Sequence, residues 1–536
     1  MSNQKIIGLK DISSFQEQLA YPESIDSVKL PPPYDNPVEL PGFKKLSQTA
    51  REKYDTSLDG VIAVGVPKPA NEEEEKILVE QFISGLLKLF SKENNWTFLQ
   101  PLVLSMEYCA KCQTCNHDCP IYETSGEAEI YRPTYRAEVL RRLYFKYVKP
   151  GNQLLKKFQM GDIELNWTLI SRLVELSYRC TLCRRCAQSC PIGVDNGLIT
   201  HELRKLFSQE MGIHPKDLHE KGTLQQLDTG SSTGMSSIVV KDNMEFIDED
   251  FSEKVGFKVE TKWDVEGADV LLIHNAGEIL SWPENPAAFA ILLEKAGISW
   301  TLSSEAVAYD GVNYGLFYDD VQLARILLKH VEAAKKLGVK KIVMGECGHE
   351  SKVLGIIGER IVGNEIRTEN ALTLMEHIVF GGKIEFDPSK NDFPVTLHDP
   401  CNLLRIMGVV EPQRRILRYL APKFREMAPN GVRNYCCGGG SGFAIMSGNN
   451  FLDWRMQISG KMKFKQILEA FAGEDLNSAS PKYVCAPCSN CKGQIRDIID
   501  YYGAREKSGI YYGGLAELIV NAMVDIKEPF IEFEKM

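Results

Sequence analysis

The stretch Arg433-Asn-Tyr-Cys-Cys-Gly-Gly-Gly-Ser-Gly-Phe443 decides how the rest of this chain is read. Adjacent Cys436 and Cys437 do not readily bridge each other, and the glycines after them admit positive φ and close backbone approach to a bulky inorganic group. The stretch therefore reads as a cofactor cradle. Thiols flank it on both sides, in His398-Asp-Pro-Cys401 and in Cys485-Ala-Pro-Cys488-Ser-Asn-Cys491-Lys492. Cysteine also serves as a small buried apolar residue, but this many thiols beside Gly-rich turns carry a redox liability that packing does not justify.

Two arrays lie further upstream: Cys109-Ala-Lys-Cys112-Gln-Thr-Cys115-Asn-His-Asp-Cys119-Pro120 and Cys180-Thr-Leu-Cys183-Arg-Arg-Cys186-Ala-Gln-Ser-Cys190-Pro191. Each is C-x2-C-x2-C-x3-C-P, the bacterial ferredoxin run, in which three close thiolates hold one [4Fe–4S] cubane and the fourth cysteine ligates the other cluster. The spacing predicts crossed sets: Cys109, Cys112, Cys115 and Cys190 for one cluster, Cys180, Cys183, Cys186 and Cys119 for the second. A pair of zinc sites is the alternative, which the tight order, its repetition and the terminal proline disfavour. Between the arrays, Pro133 to Tyr147 has helical spacing with its proline suited to the first turn, so the module is expected to be a mostly helical two-cluster domain. Arg136, Arg141, Arg142, Arg184 and Arg185 adjoin the arrays. They read either as cations favouring reduced clusters or as a solvated basic face.

With 536 residues, 44% hydrophobic and 25% charged, the chain can bury several cores and divides into about three domains. A formal charge of −10 argues against a general nucleic-acid binder. The first ten residues carry no apolar leader and no apolar run is long enough to span a bilayer. The expectation is a cytoplasmic chain, peripheral on the inner face of the cell membrane through a partner. Fifteen cysteines in that setting indicate metal or redox use rather than disulfides.

Residues 1–70, rich in Pro, Asp, Ser and Lys, read as an extended arm, either solvated or wrapped on a partner subunit. Asn71-Glu-Glu-Glu-Glu caps a helix running through Ile77 to Phe90 and opening the dicluster domain at 71–215. Residues 216–262 are polar, with Thr229-Gly-Ser-Ser-Thr-Gly234 as a flexible stretch, and read as a linker. Beyond it, short apolar runs alternate with helical segments, which indicates parallel sheets with covering helices.

That last region contains a repeat. Leu272-Ile-His274-Asn-Ala-Gly277 lies over Thr396-Leu-His398-Asp-Pro-Cys401, Asn313-Tyr-Gly-Leu316 over Asn434-Tyr-Cys-Cys437, and Ile342 to Glu350 over Tyr483 to Cys491. The fold class expected is α+β: a helical dicluster domain followed by two repeated α/β units, 263–385 and 386–536. Where the second copy has Cys401, Cys436, Cys437, Cys488 and Cys491, the first has Gly277, Gly315, Leu316, Cys347 and Glu350. Cys347 is then expected to be a survivor of a degenerate site. Gly345-Glu-Cys-Gly-His-Glu350 still gathers a thiol, an imidazole and two carboxylates, enough for a proton relay or substrate contact. Cys485, opposite Met344, reads as a supplementary thiol.

From about residue 100 onward these motifs resemble the CCG-domain family, which includes the catalytic subunit of heterodisulfide reductase. Gly345 to His349, Asn313 to Tyr318 and Cys436 to Gly440 look most like its DsrK type, the iron–sulfur subunit of membrane complexes serving dissimilatory sulfur metabolism. The resemblance implies that Cys401, Cys436, Cys437, Cys488 and Cys491 hold a non-cubane [4Fe–4S] cluster of the kind that cleaves disulfides. The interval from Cys437 to Cys488 is long for the family, and Cys485 is additional. The resemblance further implies electrons from a membrane cytochrome b-type subunit, passed through the two cubanes to that cluster. The implied substrate is a disulfide or trisulfide on a small sulfur-carrier protein, with His398 or His349 supplying protons. Two rivals remain: an electron-relay subunit, and the iron–sulfur subunit of a 2-hydroxy-acid or electron-transfer-flavoprotein oxidation system. No G-x-G-x-x-G follows a strand, so a flavin would reside on another subunit.

Overall fold

The computed structural model describes residues 7–534 apart from 15, 26, 37–41, 152–162, 306–308, 359–362 and 364–365. Residues 1–6 and Pro37, on which part of the leader and arm readings rests, lie outside the described residues. The chain forms two compact units that share it discontinuously. The first comprises residues 1–218, 317–320 and 438–463; the second comprises 219–316, 321–437 and 464–536.

The first unit is helical. Asn71 accepts a hydrogen bond from the Glu74 amide and four glutamates fill the first turn of Glu72–Leu89, where carboxylates face the positive end of the helix. Phe82, Gly85, Leu86 and Leu89 form its buried face. That face packs on Asn196–Met211, with Phe82 stacked on Phe207 at 5.9 Å. A Cβ on Gly85 would lie 2.8 Å from Glu210 Cγ, so the close approach of the two helices requires glycine there. Pro133–Leu143 starts with its proline in the first turn and continues into a wider turn at Tyr144–Val148.

The first 70 residues correct the expectation of an extended arm. Leu58, Asp59, Val61 and Ile62 are buried in the first unit. The amides of Ala63, Val64 and Gly65 donate to the Glu175 carboxylate at 3.0–3.1 Å. Asn450 accepts from the Ile62 amide and donates to the Gly60 carbonyl. Partners for this irregular backbone come from side chains more than a hundred residues away, so local composition gave no sign of them.

The polar stretch 216–262 is not a linker. Its centre is the 19-residue helix Ser237–Val255, which buries Val240, Met244, Ile247, Phe251 and Val255. Their spacing of three and four residues makes one apolar stripe, which the many acids and lysines around it obscured.

The second unit holds two parallel four-stranded sheets. One contains β1 (Val270–Ile273), β2 (Trp300–Thr301), β3 (Lys341–Met344) and β4 (Arg367–Asn370), in the order β2-β1-β3-β4. The other contains β5 (Val395–Leu397), β6 (Phe424–Glu426), β7 (Lys482–Cys485) and β8 (Ile510–Gly513), in the order β6-β5-β7-β8. Ile273 pairs with Met344, and Leu397 pairs with Cys485. Those are the partners the sequence repeat puts in register. The turn after each third strand also matches, with Cys347 N–H donating to Gly345 O and Cys488 N–H to Ala486 O, both at 2.7 Å. Within the second copy, Gly438–Lys463 departs to the first unit, which accounts for the long interval between Cys437 and Cys488. Among the described residues no helix is long and apolar enough to cross a membrane.

Candidate functional site

In the second sheet the strand order reverses between β5 and β7, and in open parallel sheets ligands bind beyond the carboxyl ends of the strands at such a point. His398 and Cys401 follow β5, Cys436 and Cys437 lie in the segment following β6, and Cys488 and Cys491 follow β7. Cys401 opens the short helix Cys401–Arg405, while Cys488 caps Ser489–Tyr502 and places Cys491 in its first turn. Asp399 ties two of these loops together. It pairs with Arg414 at 2.6 Å and accepts from the Gly431 amide at 2.8 Å and the Asn434 side chain at 3.3 Å, two residues before Cys436.

Four thiols form a row: Cys437, Cys491, Cys488 and Cys347. His398, Cys437 and Cys491 have ligand atoms within 4.8 Å of one another, and so do Cys347, His349 and Cys488. Cys347 arrives from the first sheet, one turn beyond β3. Gly348 N–H points at Cys488 Sγ at 3.4 Å, and the Ser489 amide donates to the Glu346 carbonyl at 2.5 Å. The carboxyl ends of the two sheets therefore meet at this row. Hydrogen bonds from Cys347 and Cys491, aided by His349, hold the Cys488 thiol well below its usual pKa. The bonds of Cys491 with Cys437 and Cys488 push its own pKa up. Burial, helped by the bond to Cys488, does the same for Cys347.

The structure thus brings Cys347, which the repeat reading set aside, into contact with the predicted set. Cys401 and Cys436 are buried at the same end of the sheet. Cys485 instead packs in the hydrophobic core with Leu397 and Leu515, which corrects its reading as a supplementary site thiol. Gly438, read as part of a cradle, has φ +92°, and a Cβ there would lie 2.4 Å from Gly460 Cα. A backbone crossing accounts for that glycine.

The corresponding place in the first repeat is closed to a second thiolate set. A Cβ on Gly315, the counterpart of Cys436, would lie 2.4 Å from the Leu323 backbone nitrogen. Carboxylates occupy the space: Glu278 Oε2 is 3.1 Å from His274 Nδ1, and Glu350 Oε1 accepts from Asn275 at 2.8 Å. Burial pushes the Glu350 carboxyl well above its usual pKa, and the neighbouring Glu278 adds to this.

In the first unit the ferredoxin arrays come together crosswise. Cys109, Cys112, Cys115 and Cys190 line one pocket, with Thr134, Ile192 and Asn196. Asn196 Nδ2 lies 3.6 Å from Cys115 Sγ, and the Val194 amide lies 3.3 Å from Cys190 Sγ. Burial pushes Cys115 up to about 11, with Cys109 and Cys190 adding to it. Cys119, raised to about 12 mainly by burial, lies close to Cys183 and Cys180. Cys186 is raised by burial and feels Cys183, Cys180 and Cys119. Thiol-only donor sets with N–H groups aimed at sulfur are what [4Fe–4S] cubanes take, and loading them would release the protons these buried thiols hold. Cys119→Ser is expected to damage the cluster of Cys180, Cys183 and Cys186 and spare the one beside it in sequence. Spectroscopy that finds only the Cys109 cluster lost would contradict the crossed sets.

Residues 105–194 match the 4Fe-4S dicluster domain and residues 395–496 match the cysteine-rich CCG domain. With the paired thiol sets and the repeated parallel sheets, this defines a CCG-domain, heterodisulfide-reductase-like iron–sulfur protein that carries [4Fe–4S] clusters. The chain is 27% identical to the Hdr-like menaquinol oxidoreductase iron-sulfur subunit 2 of Archaeoglobus fulgidus, over 78% of this chain and 80% of that one. It is 26% identical to one of the subunits of the dihydromethanophenazine:CoB–CoM heterodisulfide reductase of Methanosarcina barkeri, over 78% of this chain and 95% of that one. Similarity also extends to the EtfAB:quinone oxidoreductase of Syntrophomonas wolfei, 22% identical over 81% of this chain and 60% of that one.

Proposed function

We propose that this chain is the iron–sulfur catalytic subunit of a membrane-associated redox complex, and that Cys401, Cys436, Cys437, Cys488 and Cys491 hold a third, non-cubane [4Fe–4S] cluster. There a disulfide or trisulfide, carried on a small DsrC-like sulfur-carrier protein, is reduced or formed. The observation that carries the reading is the buried thiol row flanked by His398 and His349, where the carboxyl ends of both sheets meet. When bound, the clusters supply single electrons from the cubanes and two-electron chemistry at the sulfur–sulfur bond.

The protein's own groups have three tasks. Burial of Cys437, Cys488 and Cys491 to 1–2% exposure keeps bulk water from the sulfur chemistry. Asp399 fixes the loop before Cys436 by joining Arg414 to the Gly431 amide. His398 and His349 lie within reach of the row from its two sides and are placed to move a proton to or from sulfur. Glu350, next to His349 in the chain, and its neighbour Glu278 form a buried carboxyl pair that can store such a proton.

The heterodisulfide reductase relative supports sulfur as the reacting atom, and the menaquinol oxidoreductase relative supports a membrane-associated partner, which we take to be of cytochrome b type. Anaerobically purified chain should contain about twelve iron atoms, and thiol treatment of the oxidised protein should alter a paramagnetic signal. About eight iron atoms and no thiol-dependent signal would reduce the protein to a relay. The second reading is the iron–sulfur subunit of an electron-transfer-flavoprotein oxidation system, which the EtfAB:quinone oxidoreductase similarity favours; a flavoprotein rather than a haem subunit among the partners would select it. Cys347→Ala should retain all three clusters, because Cys401, Cys436, Cys437, Cys488 and Cys491 supply the proposed ligand set without it, although Cys347 lies against Cys488. Iron falling to about eight in that variant would make Cys347 a ligand.

A further inference from the structure

Five arginines adjoin the ferredoxin arrays in sequence, and four of them meet a carboxylate locally. Arg141 and Arg142 pair with Glu138 at 2.5 and 3.4 Å, Arg184 with Asp195 at 3.0 Å, and Arg185 with Asp118 at 3.2 Å. Arg136 differs. It is 2% exposed, its Nε donates to Thr200 Oγ1 at 2.5 Å, and its Nη1 is buried with no hydrogen-bond partner among the described residues. A sixth arginine, Arg204, lies one turn beyond Thr200 on the same helix and is fully buried. Its Nη2 donates to the carbonyls of Cys180 and Ser177, both at 2.7 Å, and its guanidinium lies 4.0 Å from the Tyr178 ring centroid. Neither Arg136 nor Arg204 meets a carboxylate among the described residues.

A buried cation without a counter-charge costs several kcal/mol, so two of them on one helix pair call for an anion nearby. The thiols beside them are Cys119, close enough to Arg136 to feel its charge, and Cys180, whose carbonyl Arg204 holds. We propose that Arg136 and Arg204 are the fixed counter-charges of the cluster framed by Cys119, Cys180, Cys183 and Cys186, and that they hold its reduction potential up. A thiolate-ligated [4Fe–4S] cluster is an anion whose negative charge grows by one electron on reduction, so a fixed cation in a low-dielectric interior stabilises the reduced state more. The proposal rests on the crossed cysteine sets and is independent of whether the third site acts on sulfur.

The test is a potentiometric titration of the full-length, iron-loaded chain followed by electron paramagnetic resonance. Loss of one cubane signal in Cys183→Ser identifies the second cluster. Arg136→Gln is expected to shift that cluster's reduction equilibrium about tenfold toward the oxidised form, which is about 59 mV for one electron. Arg204→Gln should shift it the same way. Arg136→Lys and the half-buried, carboxylate-paired control Arg142→Gln should leave it near the wild-type value. If Arg136→Gln loses the cluster and Arg136→Lys retains it, the charge is again what matters. Iron-replete Arg136→Gln and Arg204→Gln proteins with unshifted potentials, a shift confined to the Cys112 cluster, or loss of iron in the Lys and Gln variants alike would each overturn the proposal.

Discussion

Cys437→Ala protein should lose about one third of its iron, falling from about twelve to about eight atoms, and should lose all activity on a carrier-protein disulfide while both cubanes stay reducible. The effect is expected to be complete because Cys437 lies at one end of the thiol row and touches both His398 and Cys491. Alanine leaves the Cys491 thiol without the hydrogen bond that contributes most to its raised pKa. The cubanes should survive because all eight of their thiols lie in the other compact unit. Iron analysis, paramagnetic signals on stepwise reduction, and turnover of the disulfide check the three parts separately. Normal turnover with about eight iron atoms would leave the third site without a catalytic role and make the relay reading the better one.

How much of this could be read from the sequence depends on how local the determining interactions are. The ferredoxin sets were legible because three ligands fall within seven residues and the cross-over is a property of the motif. The parallel α/β repeat was legible because aligned strand ends and cysteines keep one register, and the pairing of Leu397 with Cys485 beside that of Ile273 with Met344 reproduces it. The neighbours of Cys347 were not legible. Its repeat-mates have lost their thiols, but its real neighbour, Cys488, comes from the other copy, and a comparison of copies cannot reveal a contact between them. Arg204 was missed because it stands fourteen residues beyond Cys190, and only the fold of Asn196–Met211 carries it back to Cys180. Residues 57–66 and 237–255 were misread for one reason. What holds each in place, Glu175 and Asn450 for the first and the apolar core for the second, is distant in sequence, so neither the short apolar run at 57–66, set among Pro, Asp, Ser and Lys, nor the charge-rich helix 237–255 revealed it locally.

The segment before residue 70 also leads to the largest stability effect. Arg179 immediately precedes Cys180 and is fully buried. Its Nε and Nη2 bind the two oxygens of buried Asp59 at 2.7 and 2.9 Å, Nη2 also reaches the Val61 carbonyl at 2.8 Å, and Nη1 lies 3.3 Å from Glu175. Tyr131 donates to the same aspartate at 2.9 Å and accepts from Trp454 at 3.2 Å. Arg179→Met should cost about 3–5 kcal/mol, because it leaves two buried carboxylates without their cation. For a unit of this size that is about 10 °C in apparent Tm. The half-buried pair of Arg142 and Glu138 sets the contrast: Glu138 keeps Arg141 and Lys111 as partners, so Arg142→Met should cost less than about 1 kcal/mol. The deficit should also depend on pH. Burial already raises the Glu175 carboxyl above its usual value in the intact protein, and loss of Arg179 removes the largest opposing influence. The folded variant would then bind protons that the unfolded chain releases, so stability falls as pH rises through the raised pKa. The gap between variant and wild type should therefore be wider at pH 8 than at pH 5.5, measured by thermal unfolding under anaerobic conditions. A gap that narrows on raising the pH would show that the network is not held by the charge of Arg179.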